Sequence, residues 1–348
     1  MKESYNYKKL SKGKMQCLTC SHFCAPLEGK RGKCGVRENV EGKLFALNYG
    51  KLIASNIDPI EKKPLFHFLP GTFSYSISTV GCNLACDFCQ NWDISQSPKP
   101  KNPIIGEDVK AETVVKEALR TGCQSISYTY TEPTIFLEFA LDTMKIAKKK
   151  GLFNVWVSNG FMSPQTLKLV IPYLDAVNVD LKSFSEKFYE KVCKARLEPV
   201  LENLKELYKK KVHLEVTTLI IPTLNDSKEN LQNIARFIKK ELSPEVPWHI
   251  SRFFPAYRLS DLPPTDVKKI HQAYEIGKKE GLKFVYAGNI PGDSIDGITT
   301  ESTYCPKCGK LVAGRAGFEI YNLNLDKKGR CKYCKTDLNI FTPHNPRS

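Results

Sequence analysis

Eleven of the thirteen cysteines in this 348-residue chain fall into three groups spaced like metal ligands. The middle group, Cys82, Cys86 and Cys89 in GCNLACDFCQNW, is spaced C-x3-C-x2-C and has no fourth thiol beside it. Soft metals held by thiolates ordinarily take four ligands, and the ferredoxin run that wraps a cubane entirely in protein is spaced C-x2-C-x2-C-x3-C-P. Three thiolates on one short loop suit three irons of a [4Fe–4S] cluster and leave the fourth iron open. An open iron is a reaction site. A zinc ion completed by a remote residue, or three incidental cysteines, are the plain alternatives.

The last group, Cys305, Cys308, Cys331 and Cys334, reads C-x2-C-x22-C-x2-C. Two knuckle-like turns, each giving a thiolate pair, suit tetrahedral zinc, with rubredoxin-like iron or a redox dithiol as the alternative. The two single cysteines, Cys123 and Cys193, read as small buried hydrophobes. The N-terminus MKESYNYKKLSKGKMQC has no apolar stretch of the kind a secretory signal needs, so the expected location is the cytoplasm, with no membrane partner. In that reducing setting thiols rarely pair as structural disulfides, which favours metal ligation throughout.

The elements that must position these groups are legible as alternating apolar patterns. FSYSIST from Phe73 reads as a strand leading into the cysteine loop, and AETVVKEALRTG as a helix. SISY, NVWVSNG, AVNVDL, HLEVTTLII, WHISRFF and KFVYAG read as further strands, separated by helical segments, one of them starting at Asp226. About seven strands in βα order imply a parallel sheet, most simply a partial (β/α)6-type TIM-like barrel in an α/β protein. Functional residues then sit at the C-terminal ends of the strands. Three regions follow: a Cys-rich N-terminal lobe with a linking loop over 1–70, the barrel core over 71–290, and a zinc-ribbon-like unit over 300–348. The linking loop SNIDPIEKKPLFHFLPGT, with three prolines, reads as too irregular for a regular element.

C-x3-C-x2-C with Phe88 just before the last cysteine resembles the signature of the radical SAM superfamily. The resemblance implies the missing ligand: the amino and carboxylate groups of S-adenosylmethionine (SAM) complete the open iron, and an electron from the cluster cleaves SAM to a 5′-deoxyadenosyl radical. It also implies SAM-binding positions at the strand ends, with Phe88 near the adenine. Glu132 and Pro133 match the Gly-Gly-Glu-Pro turn of that family, with Tyr130 and Thr131 in place of the glycines. Ser158 and Asn159 in SNG, and Asp180 and Lys182 in VDLK, resemble segments lining the pocket of pyruvate formate-lyase activating enzymes. Strand alternation puts Asp180 and Lys182 on one face, where a structural ion pair is the plain alternative. His249 in PWHISRFFP fits a pocket histidine of the same family, whereas His67 reads as packing.

The longer runs CLTCSHFCAPLEGKRGKCGVREN, DPIEKKPLFHFLPGT, YTEPTIFLEF, TTLIIPTLND and PWHISRFFPAY, with Arg315 after the closing CPKCG, are similar to the AmmeMemoRadiSam-system radical SAM enzymes. The N-terminal cysteines 17, 20, 24 and 34 are a feature of that group. Two loops closing on one ion read as a structural zinc site at Cys17, Cys20, Cys24 and Cys34; an auxiliary iron–sulfur cluster is the alternative, and His22 a substitute ligand. The resemblance implies a protein substrate, entering through the gap of an incomplete barrel, and a flavodoxin- or ferredoxin-type electron donor. The net charge of +15 keeps a second reading open, modification of tRNA or rRNA. Against it, the lysines fall in short runs, Lys148 to Lys150 and Lys209 to Lys211, at helix ends where they complement the helix dipole. A third reading is a metal-binding adaptor without catalysis.

Overall fold

The computed structural model describes residues 1–343 except 100, 291, 293 and 296; the last five residues of the expected C-terminal unit, 344–348, lie outside the described residues. Eight strands form the central sheet: β1 Ala54–Pro59, β2 Phe73–Ser78, β3 Ser125–Tyr128, β4 Phe153–Ser158, β5 Ala176–Asp180, β6 His213–Ile220, β7 Trp248–Arg252 and β8 Val285–Gly288. They lie in sequence order across the sheet. β2 to β8 run parallel, and β1 pairs with β2 antiparallel at the edge. This is the expected α/β partial barrel, with one antiparallel strand added.

Six helices cover its outer face: α1 Ala111–Arg120, α2 Leu137–Lys149, α3 Pro164–Val170, α4 Glu198–Lys209, α5 Lys228–Phe237 and α6 Val267–Glu280. Strand alternation divides the apolar side chains into two cores. Trp156, Val177 and Val216 face the helices in the large outer core. Val155 and Ala176 face inward, onto a plug made of Ile60, Leu65, Phe68 and Leu69 with Phe341 stacked on Phe68. Glu215 of β6 ties the plug down by accepting the backbone N–H groups of Phe66 and His67.

Two expectations need correction. The supposed linking loop supplies β1 and the plug: Ser55, Asn56 and Ile57 are all exposed on an edge strand, so no alternation of apolar and polar residues marks it. Helix α5 starts at Lys228, two residues later than Asp226, because the hydroxyl of Ser227 accepts the Asn230 N–H and makes the cap.

The N-terminal lobe holds short antiparallel strands, Lys2–Glu3 with Lys43–Ala46 and Arg37–Val40, and Tyr7–Lys9 with Met15–Cys17. The C-terminal residues form an antiparallel sheet of Thr303–Tyr304, Leu311–Ala316 and Glu319–Leu323. Its core of Cys305, Val312, Cys331, Leu338 and Ile340 is continuous with Phe284 and Tyr286 of the barrel edge. Among the described residues no helix is long and apolar enough to cross a membrane.

Candidate functional site

The loop after β2 begins at Gly81, whose φ is +102°. A Cβ there would stand 2.8 Å from Val36 Cγ1 and 3.0 Å from the Cys34 carbonyl oxygen, so only glycine lets the loop lie this close to the N-terminal lobe. The Cys82 sulfur accepts from the Leu84 N–H at 3.4 Å and from Asn159 Nδ2 at 3.8 Å, while Cys89 Sγ lies 3.4 Å from the Ser95 hydroxyl. Cys193, read from the sequence as packing, is buried beside the cysteine loop, its carbonyl accepting the Ala85 N–H at 3.2 Å. Burial pushes Cys82 and Cys89 above the ordinary thiol range, and Cys193 together with burial does the same to Cys86. Thiolates at these positions need nearby positive charge, which bound irons supply.

Cys82, Cys86, Cys89, Phe88, Tyr130, Thr131, Glu132, Ser158, Asn159, Asp180 and Lys182 all line one cavity of ≈ 410 Å³ at the C-terminal ends of β2 to β5. Glu132 is 1% exposed. Its Oε1 accepts the Thr134 N–H, the Thr134 hydroxyl and the Ser158 hydroxyl, and its Oε2 accepts the Asn159 N–H at 2.8 Å. With both oxygens engaged, this carboxylate fixes two strand ends against each other; burial raises its pKa. Asn159 passes the constraint on, donating from Nδ2 to Asn83 Oδ1 at 2.8 Å beside Cys82.

Lys182 and Asp180 form an ion pair at 2.8 Å on the cavity wall, the arrangement given as the alternative to SAM binding, with the Lys182 Nζ 5.6 Å from the centre of the Phe88 ring. Burial alone would lower the lysine, but Asp180, Cys86 and Cys193 outweigh it and hold the pKa well above the ordinary value. Tyr130 takes the left-handed conformation, φ +61°, which favours glycine. Its carbonyl accepts from Asn91 Nδ2 at 2.7 Å, and its hydroxyl donates to Asp58 Oδ2 at 2.5 Å.

That bond leads to residues sequence reasoning missed. Lys63 and Lys62 line the same cavity, and both hold Asp58, at 2.6 and 2.9 Å. Burial brings Lys63 down to about 8. Burial opposes ionisation of Asp58, but Lys63, Tyr130 and Lys62 overcome it and keep the carboxyl well below its usual range. The one available signal was two adjacent lysines between apolar residues in IEKKPLF.

His249 is placed apart from the other expected SAM residues. Its Nε2 lies 2.6 Å from Glu215 Oε2, its ring stacks on Tyr286, and it lines a second cavity of ≈ 580 Å³ between β7, β8 and the C-terminal unit. The two cavities share Thr217 and Ser251. Arg315 and Glu61, 2% and 1% exposed, also line the second one. Arg315 Nε and Glu61 Oε2 have no hydrogen-bond partner among the described residues. His67 is a packing residue as expected, bonded to the Leu338 carbonyl and the Tyr286 hydroxyl.

The C-terminal quartet is compact: Cys305 and Cys334 sulfurs are 3.5 Å apart, Cys308 and Cys331 3.8 Å. A tetrahedral ion with metal–sulfur bonds of about 2.3 Å spaces its sulfurs about 3.8 Å apart, so the four fit one zinc. Bonds from Thr336 hold the Cys334 thiol down at about 6. Cys17, Cys20, Cys24 and Cys34 come together in the N-terminal lobe, each free of disulfide bonding.

A family model described as the Radical SAM superfamily matches residues 76–238. An uncharacterized protein of Methanocaldococcus jannaschii is 46% identical over 98% of this chain and 99% of its own length. The pyruvate formate-lyase-activating enzyme of Clostridium pasteurianum is 25% identical over 54% of this chain and 83% of its own. Among solved structures, a domain of a pyruvate-formate lyase-activating enzyme from Bacteroides vulgatus superposes with a TM-score of 0.41 at 19% identity, covering 47% of this chain and 99% of that one.

Proposed function

Because this chain belongs to the radical SAM superfamily, we propose that Cys82, Cys86 and Cys89 hold a [4Fe–4S] cluster with one iron left for SAM, and that the enzyme acts on a protein. When bound, the cluster and SAM supply one-electron reductive cleavage of SAM to 5′-deoxyadenosine chemistry. The observation that carries the reading is the single cavity joining the three thiols to the polar ends of β3, β4 and β5. Thr131, Ser158 and Asn159 present hydrogen-bonding groups there, Lys182 and Asp180 a fixed ion pair, and Phe88 an apolar ring. Glu132 orients Ser158 and Asn159 from behind. Similarity in the long motifs supports an AmmeMemoRadiSam-type enzyme related to glycyl-radical activating enzymes, using a flavodoxin- or ferredoxin-type donor. Cys305, Cys308, Cys331 and Cys334 hold a structural zinc ion in this reading.

The protein substrate is supported by the second cavity, which adjoins the first and shares Thr217 and Ser251 with it. Phe66 and Tyr286 supply apolar wall there, and Arg315 and Glu61, paired at 4.0 Å, a buried pair of opposite charges. Anaerobically reconstituted, dithionite-reduced protein is expected to convert SAM to 5′-deoxyadenosine, and Cys86→Ala to abolish it. Deuterium from a deuterated partner protein should then appear in the 5′-deoxyadenosine. Cleavage that survives Cys86→Ala overturns the cluster assignment, and deuterium arriving from deuterated RNA instead of protein overturns the substrate class.

A further inference from the structure

Lys62 and Lys63 are carried by a turn that the barrel holds in place. Pro59 leads from β1 into a single 3-10 turn over Ile60–Lys62, and the Lys63 N–H closes it on the Ile60 carbonyl at 2.9 Å. Ile60 before the lysines and Leu65 after them are fully buried in the plug. The turn delivers both side chains to the cavity that the thiols line, Lys62 with 44% of its side chain exposed and Lys63 with 2%.

The charges on that wall do not balance. Of the other charged side chains lining the cavity, Lys182 is paired with Asp180 at 2.8 Å, and Glu132 gives both oxygens to Thr134, Ser158 and Asn159. Lys62 and Lys63 share Asp58: two positive charges against one negative leave a net charge of +1. Asp58 already accepts three bonds, from Lys62 at 2.9 Å on Oδ1, and from Lys63 at 2.6 Å and the Tyr130 hydroxyl at 2.5 Å on Oδ2. The Tyr130 ring, 4.7 Å from the Lys63 Nζ, offers that cation a face but no charge. An ammonium carries three donors, so the single bond each lysine makes to Asp58 leaves two N–H groups on each for a ligand. A buried cation short of counter-charge is costly until something pairs it.

We propose that Lys62 and Lys63 form a carboxylate-binding site within the thiol cavity, in which the bound carboxylate supplies the missing negative charge and takes N–H groups from both lysines. Bonds from ammonium groups to a carboxylate are of the strong, charge-assisted kind. The balance selects the class of ligand: a singly charged carboxylate neutralises the pair, whereas a phosphate dianion would leave excess negative charge in a cavity that also takes three thiolates. Two sources fit this chemistry, the methionyl carboxylate of SAM and an acidic side chain or C-terminus of a polypeptide substrate. The choice between them rests on the function proposed above; the site does not.

The test is amine labelling of the full chain, anaerobically reconstituted and without SAM. Reductive methylation is read at Lys62 by mass spectrometry, with exposed Lys228 as the internal control. Acetate should slow methylation of Lys62 by about tenfold relative to chloride at equal ionic strength, the mass-action factor near ten times its Kd, and leave Lys228 unchanged. Acetamide, the same shape without the charge, should protect neither. In Lys63→Met the remaining lysine and Asp58 balance, so acetate protection of Lys62 should vanish. Equal labelling of wild-type Lys62 in acetate and chloride, equal protection by acetamide, or undiminished protection in Lys63→Met overturns the site; stronger protection by inorganic phosphate overturns the carboxylate class. The wild-type comparisons stand even if Lys63→Met misfolds. Once acetate protects, SAM separates the two sources. Protection by SAM but not by decarboxylated SAM assigns the site to the methionyl carboxylate, and acetate protection unchanged with SAM bound assigns it to the substrate. A chain that bound no SAM would sink the function proposed above and leave the acetate result standing.

Discussion

Lys63 is the residue whose environment makes the sharpest quantitative demand. Its side chain is 2% exposed, its Nζ lies 2.6 Å from Asp58 and 4.7 Å from the centre of the Tyr130 ring, and it shares that one carboxylate with Lys62. Half a counter-ion does not offset burial, and the pKa falls from 10.5 to about 8. A lysine lowered on folding binds its proton more weakly in the native state than in the unfolded chain. The penalty is therefore complete below pH 8 and is relieved as pH rises from 8 to 10.5, where the unfolded chain holds more protons. At 1.36 kcal/mol per pH unit, that window is worth about 3 kcal/mol. Lys63→Met keeps the length of the side chain and leaves Asp58 its bonds to Lys62 and Tyr130. The Tyr130 phenol, pushed up to about 12, titrates above the window and drops out of the difference. Stability of reconstituted wild type and Lys63→Met should be compared by anaerobic native-state proteolysis from pH 7.5 to 10.5, without SAM. Wild type should gain about 3 kcal/mol on the variant across the range. Parallel curves, or a wild type that loses ground, would refute the claim that Lys63 is buried with insufficient counter-charge.

Glu132→Gln leaves Oε1 with its three donors but points an NH2 group at the Asn159 N–H. Two donors face each other, at a cost of about 1–3 kcal/mol in urea unfolding, with KM for SAM rising as Ser158 and Asn159 lose their anchor. Cys193→Ala removes a buried thiol beside the cysteine loop, one placed to donate to Cys86 once the cluster is bound. A donor to a cluster thiolate favours the electron-rich state, so its loss should lower the one-electron potential by about 40 mV, taking about 1 kcal/mol for the bond. Spectroelectrochemistry that finds the potential unchanged would mean the thiol points elsewhere once the cluster is bound.

The barrel was readable because its strands are short apolar runs separated by amphipathic helices. β1 was not: it is an edge strand with Ile57 50% exposed, and prolines 59 and 64 break the pattern around it. At the site, alternation gives the face a side chain occupies but not its depth along the barrel. His249 and Ser251 both face inward on β7. His249 lies level with Thr217, but its ring turns to Glu215, whereas Ser251, two residues nearer the rim, lines the cavity of the thiols. Asp58, Lys62 and Lys63 were hidden for another reason. Their partner Tyr130 is 72 residues from Asp58 in the chain, and nothing local marks a lysine as buried.

Tyr130 connects these missed residues to the expected ones. A non-glycine residue at φ +61° pays about 1–2 kcal/mol in backbone strain, where glycine would pay none. The same position gives back two bonds to the hydroxyl, from Asn56 and to Asp58, and a ring face against the Lys63 cation. Those contacts are worth about as much as the strain, so stability alone does not explain the side chain. What glycine would not provide is the link itself: with Tyr130 the turn that lines the thiol cavity is bonded to β1, and through Asp58 to the two lysines that line the same cavity. A glycine there would keep the turn and lose the link to β1 and the lysines.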